Sequence, residues 1–266
     1  MKKIYLLLAS GLLLASCSSD DDINNNDINN NDNNNSGTYI PSKEGNYWVY
    51  DVQSSVLSGR DSLYVANDTI INNTTYQKLK VKELAYGFFS NALNNNGIRH
   101  ANGKTYLSGS AGLYFSEDLP FNVAVNDFII FDRNVSDNQQ LATVSGSFQQ
   151  EVEGFTLTFN YTLSSKAKTS ISSFTSGDKQ YTNVKPVEIT LNVGINASIP
   201  NFPLAYPLLP PQNVVVSTQY YAEGIGAVKT VTDINYTLSQ IPGIELPIPQ
   251  SGSEHQEETL VKYDVE

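Results

Sequence analysis

Residues 155–164 read FTLTFNYTLS, and this stretch decides the fold. Phe155, Leu157, Phe159, Tyr161 and Leu163 fall on one face and Thr156, Thr158, Asn160 and Thr162 on the other, the period of two that a pleated strand imposes. One apolar and one polar face describe a half-buried strand. Comparable runs rich in Val, Ile, Thr, Tyr and Phe recur at 47–53, 62–65, 76–81, 105–107, 128–131, 142–150, 169–174, 187–195, 214–221, 227–238 and 259–265. No helical crossover separates them, so antiparallel pairing is the default. Asn72-Asn73, Asn102-Gly103 and Ser176-Gly177-Asp178 supply residues that tolerate positive φ where hairpin tips need them.

The expected fold class is therefore mainly β: a single antiparallel domain over 38–266, curved into a half-barrel or stacked as a sandwich, with few or no helices. Periodicity does not choose among these ways of managing sheet edges. One segment departs from the strand pattern. Val81, Leu84, Ala85, Phe88, Phe89, Ala92 and Leu93 follow the spacing of an amphipathic helix, but Gly87 interrupts it and no capping residue precedes it. It reads as a short helix or an irregular cover.

Two proline-rich stretches stand apart. Residues 199–212 hold five of the eleven prolines together with Phe202, Leu204, Tyr206, Leu208 and Leu209; residues 241–249 repeat the character with Ile244 and Leu246. Proline has no N–H for a central ladder, so both read as stiff apolar loops. They are expected either to plug an open end of the sheet or to line a binding surface for an apolar ligand or a partner.

The N-terminus states an address. Lys2 and Lys3 precede an apolar run too short to span a bilayer, the order of a secretory signal. Leu14-Ala15-Ser16-Cys17 resembles a bacterial lipobox, which implies removal of residues 1–16 and acylation of Cys17, the only cysteine. A plain secretory signal is the alternative. Residues 17–37 repeat INNND and offer no apolar face, so they read as a disordered tether with a typical span of about 25 Å. Ser18, Ser19, Asp20, Asp21 and Asp22 resemble the acidic cue that sends Bacteroidetes lipoproteins to the outer face of the outer membrane. Asp61-Ser62-Leu63 and Asp68-Thr69-Ile70 resemble the O-glycosylation acceptor of secreted proteins from the same bacteria, with Ser62 and Thr69 as the acceptors.

Two further motifs bracket the domain. Glu44-Gly45-Asn46-Tyr47-Trp48-Val49-Tyr50 and Tyr220-Tyr221-Ala222-Glu223-Gly224-Ile225-Gly226-Ala227-Val228-Lys229 resemble those of a loose group of uncharacterised Bacteroidetes-type surface and periplasmic lipoproteins. The resemblance implies a curved, half-barrel-like sheet and an envelope address, and no chemistry. Read physically, Trp48 is a core anchor, and Gly224 and Gly226 shape a turn or bulge.

Function classes narrow from what is scarce. Loss of Lys2 and Lys3 takes the net charge from −11 to −13, and three arginines make a poor nucleic-acid surface. Two histidines, His100 and His255, have no motif neighbours, and zinc is disfavoured by the shortage of His and Cys. Glu151 with Glu153, and Glu117-Asp118, leave a glycan hydrolase as the least favoured reading. The expectation is a monomeric, lipid-anchored binding domain with no catalytic residue, cofactor or metal, at the cell surface or on the periplasmic side. It would engage an apolar, glycan or protein partner; the alternative is a structural accessory of the envelope.

Overall fold

The computed structural model describes residues 37–116, 119–152, 154–198, 204–240 and 249–266, with side chains outside the description at 112–116 and 119–120. Cys17, the 18–22 cluster, Phe202, Ile244, Leu246 and the 117–118 and 153 carboxylates lie outside the described residues.

In chain order the elements are β1 (Tyr47–Ser54), β2 (Ser58–Ile71), β3 (Thr74–Val81), α1 (Phe88–Leu93), β4 (Gly97–Ala101), β5 (Lys104–Ser116), β6 (Leu119–Asp132), β7 (Gln140–Val152), β8 (Phe155–Ala167), β9 (Ile171–Ser176), β10 (Lys179–Ser198), β11 (Tyr206–Ala222), β12 (Gly226–Thr237) and β13 (Ser251–Asp264). Each alternating run falls on one of these strands. β4 was not anticipated, because GIRHA carries no alternation long enough to register. The hairpin tips are as the turn chemistry requires: Asn72 and Asn73 have φ of 48° and 63°, Asn102 and Gly103 54° and 78°.

All pairings are antiparallel, in the order β6-β5-β4-β3-β2-β1-β13-β12-β11-β10-β8-β7, with β9 paired to the start of β10. One sheet curls until it is nearly closed into a barrel, so the sandwich alternative is set aside. Its two terminal strands meet through side chains: Phe121 of β6 packs on Phe148 of β7 at 5.4 Å and on Phe159 and Tyr161 of β8 at 5.9 and 5.7 Å. Ser165 Oγ of β8 donates to the Ile129 carbonyl of β6 at 2.6 Å.

Antiparallel alternation gives the sheet two ends. β1, β3, β5, β7, β10 and β12 finish at the upper end and the strands after them start there. The tips of β1–β2, β5–β6 and β7–β8, the α1 segment, and the described ends flanking 199–205 and 238–250 all share it. The first described residue, Gly37, belongs to the lower end, where Thr38 O accepts from Gly224 N of the β11–β12 turn at 2.7 Å.

Two core clusters fill the lumen. The lower one gathers Trp48, Tyr50, Leu63, Ile98, Phe128, Phe131, Tyr181, Tyr221 and Leu260. Trp48 is buried as expected, its Nε1 donating to Ile225 O at 2.5 Å, and a Cβ on Gly226 would come within 2.9 Å of that nitrogen. The upper cluster holds Phe121, Leu157, Phe159, Leu191, Val193, Leu208, Leu209 and Val215. Burying each such side chain contributes about 1.5–3 kcal/mol.

Leu208 and Leu209 correct the loop reading of 199–212. Pro207, Pro210 and Pro211 lie within β11, whose ladder with β12 begins only at Val215; in this part the strand pairs with β10 through a shifted register, and on its other edge Leu208 O accepts from Ser239 N at 2.7 Å. Register shifts opposite Val193–Asn196 turn both leucines inward, at 0% and 1% exposure, and Gly194 leaves room for Pro211, whose Cγ would lie 3.1 Å from an added Cβ.

Candidate binding cavity

β4 is five residues long and meets β3 at only two positions, Gln77↔Ile98 and Lys78↔Gly97. Above it, the space between β3 and β5 is taken by α1 and residues 94–96. Asn96 stands in for a strand residue there: its Oδ1 accepts from Ser110 N at 2.9 Å and its Nδ2 donates to Ser110 O at 3.0 Å and Ala92 O at 2.7 Å. Asn94 Oδ1 accepts from Val81 N at 3.1 Å. The helix begins at Phe88, so the interruption expected at Gly87 is real, and Leu84 before it is 87% exposed.

A helix of six residues is held by what receives its N–H groups. Gly87 offers no capping side chain. Asp61 on β2 accepts from Tyr86 N and Gly87 N at 2.9 and 2.7 Å; Gln256 on β13 accepts from Phe88 N at 2.5 Å; Glu258, also on β13, accepts from Phe89 N at 2.6 Å, Ser90 N at 3.2 Å and Ser90 Oγ at 2.7 Å. Five consecutive amides are thus received by three side chains projecting from the sheet into the lumen. An added Cβ on Gly87 would sit 2.2 Å from the Glu258 carboxyl, so only glycine permits this approach. Glu258 is 1% exposed, and burial pushes its carboxyl up to about 7 despite the bonds it accepts.

Between α1 and the opposite wall lies a cavity of about 100 Å³, measured for the centre of a water-sized sphere. Phe88, Phe89, Ala92 and Leu93 of α1 form one side; Leu107, Phe121, Val123, Phe128, Leu163, Leu191 and Val215 are among the residues of the other. The polar contributors are Asn96, Ser110 and Gln219. Asn96 is spent on the β5 edge, and Gln219 Oε1 accepts from the buried Tyr221 hydroxyl at 2.6 Å. A separate void of about 20 Å³ lies among Trp48, Tyr50, Leu79 and Ile98.

The residues singled out in the sequence take varied places. Leu204 is 80% exposed, Tyr206 is half-buried with its hydroxyl donating to Gln240 O at 2.8 Å, and Leu208 and Leu209 are core; none of these four lines the cavity. Ser62 and Thr69 are half-buried on β2, and the Asp61 beside Ser62 is committed to α1. His100 Nδ1 lies 3.1 Å from Thr105 Oγ1, and His255 pairs with Asp233 at 2.7 Å on the exposed face, a bond that raises its pKa. Glu151 accepts from Thr156 Oγ1 at 2.6 Å. Among the described residues no three His, Cys, Asp or Glu side chains group as metal ligands.

Sequence reasoning missed Asp61, Gln256 and Glu258. Their signal was present: Gln256 and Glu258 share the parity of the buried Leu260, as Asp61 shares that of Leu63 and Val65, so polar residues stand where alternation demands apolar ones.

Fold and site together define a nearly closed antiparallel barrel with a short helix seated on inward polar side chains and a mostly apolar cavity beside it. No family model, curated protein or solved structure matches the chain.

Proposed function

We propose that the protein is a lipid-anchored, extracytoplasmic binding protein that takes an apolar ligand into the cavity beneath α1 and does no chemistry on it. The carrying observation is the lining: a pocket inside the barrel is walled by aromatic and aliphatic side chains, with few polar groups to fix orientation, as ligand sites are. The lipobox-like LASC ending at Cys17 and the tether that follows support an acylated N-terminus, and Ser18 to Asp22 support the outer face of the outer membrane.

N-phenyl-1-naphthylamine, a neutral probe that fluoresces in apolar sites, is expected to bind the wild type saturably at one site, and Ala92→Trp, which fills the cavity, to abolish it. Absence of saturable binding to the folded wild type overturns the reading. In cells, an alkyne-tagged palmitate should label the wild type and not Cys17→Ala; equal labelling of both removes the anchor.

Val56 at 74%, Leu57 at 39%, Leu84 at 87% and Tyr86 at 48% exposure favour a second reading, an envelope accessory that docks a partner at the upper end. Tyr86 lies over Gly59, which brings the α1 segment beside the β1–β2 hairpin. Retention of crosslinked partners by Val56→Ser/Leu84→Ser counts against it.

A further inference from the structure

Gln219 lines the cavity and is only 9% exposed, and its amide orientation is determined by a neighbour. The fully buried Tyr221 hydroxyl has no other acceptor among the described residues, so its proton goes to Gln219 Oε1 at 2.6 Å. The opposite amide orientation would leave that proton unmet. Nε2 is therefore the group left over, a donor with no partner among the described residues, on a side chain that faces the cavity.

The charges around the cavity are one-sided. No Lys, Arg or His lines it, and across α1 sit the carboxyls of Asp61 and Glu258, with Phe89 facing the cavity with its ring while its N–H binds Glu258. A carboxylate entering the lumen would be stripped of water, would find no cation, and would lie near acidic groups, so a free fatty acid is disfavoured as its anion. A hydrocarbon leaves Gln219 Nε2 unmet. A neutral carbonyl answers both constraints.

We propose, resting on the binding reading above, that the ligand is a neutral acyl ester or amide whose carbonyl oxygen accepts from Gln219 Nε2 while its hydrocarbon chain lies between α1 and the wall formed by Leu107, Val123, Leu191 and Val215. Gln219 is then the residue that determines which lipids enter, and the site selects esterified or amidated chains over the fatty acids released from them.

The test is displacement of bound N-phenyl-1-naphthylamine at pH 8 by methyl decanoate, decanoate and undecane. For the wild type, methyl decanoate should compete about 10-fold better than decanoate and about 5-fold better than undecane, the range that one buried hydrogen bond supplies. Gln219→Leu leaves the Tyr221 hydroxyl orphaned and risks the fold, so the decisive variant is Gln219→Leu/Tyr221→Phe, which removes both partners together. It should still bind the probe, with the ester's advantage over undecane lost. Equal competition by ester and decanoate, or an ester advantage that survives in the folded double variant, overturns the inference while the apolar cavity stands. Failure of the wild type to bind the probe overturns the binding reading itself.

Discussion

The lower and upper halves of this barrel share their strands and differ in what fills the lumen. Below, large rings interlock: Tyr50 donates to Ala227 O at 2.9 Å and packs edge-on against Phe89 at 5.8 Å, and Tyr39 stacks on Phe131 at 4.9 Å. Above, a six-residue helix replaces a missing stretch of sheet, carboxyls hold it, and a cavity remains beside it. The contrast teaches that the same alternating strands can build a packed core or a binding space, according to whether aromatic side chains or a short, externally capped helix occupies the middle.

The comparison is broken most severely from below. Tyr50→Ala should cost about 3–5 kcal/mol, since it opens a cavity in the packed half and leaves Ala227 O without its donor; denaturant unfolding measures it. A loss under 1 kcal/mol would mean that the lower half is no better packed than the upper.

The next effect is of similar size and belongs to the seam between the halves. Glu258 has its folded-state pKa raised from 4.5 to about 7, so it holds its proton more tightly folded than unfolded. Its contribution to stability is fully present below about pH 4.5 and is lost as pH rises through 7, a change of up to about 3 kcal/mol. Glu258→Gln, which mimics the neutral carboxyl, should flatten that slope between pH 5 and 8; an unchanged slope places the titration elsewhere.

A matched pair of enlargements sharpens the contrast. Ala227→Leu, in the packed half, should lower stability by about 1–3 kcal/mol. Ala92→Leu, facing the cavity, should change it by less than about 1 kcal/mol while weakening probe binding. Similar costs at both sites would show the cavity to be no real space. The smallest effect is expected at the exposed Leu84, where Leu84→Ser should change the unfolding free energy by no more than about 0.5 kcal/mol, as read from denaturant unfolding.

Much of the fold was legible from the sequence, and the reason is local. Phe155 to Leu163 alternate because a pleated strand with one buried face requires it, and Asn72-Asn73 turn because asparagine tolerates the left-handed region. The prolines of β11 misled because proline is tolerated where a ladder is irregular, and the shifted register with β10 and the late start of the β12 ladder are properties of the neighbouring strands. The site was less legible. Gln256 and Glu258 interrupt an inward row, yet an inward polar residue names no partner until a helix from elsewhere in the chain is laid over it.

The alternating strands, though not β4, the antiparallel hairpins and their tips follow from the sequence by itself, because each depends on residues near one another in the chain. Closure of the sheet, the seating of α1 on Asp61, Gln256 and Glu258, and the unspent amide of Gln219 were decided only by tertiary structure. These depend on contacts such as Phe89 with Glu258, 169 residues apart, and no local pattern encodes who will face whom across a lumen.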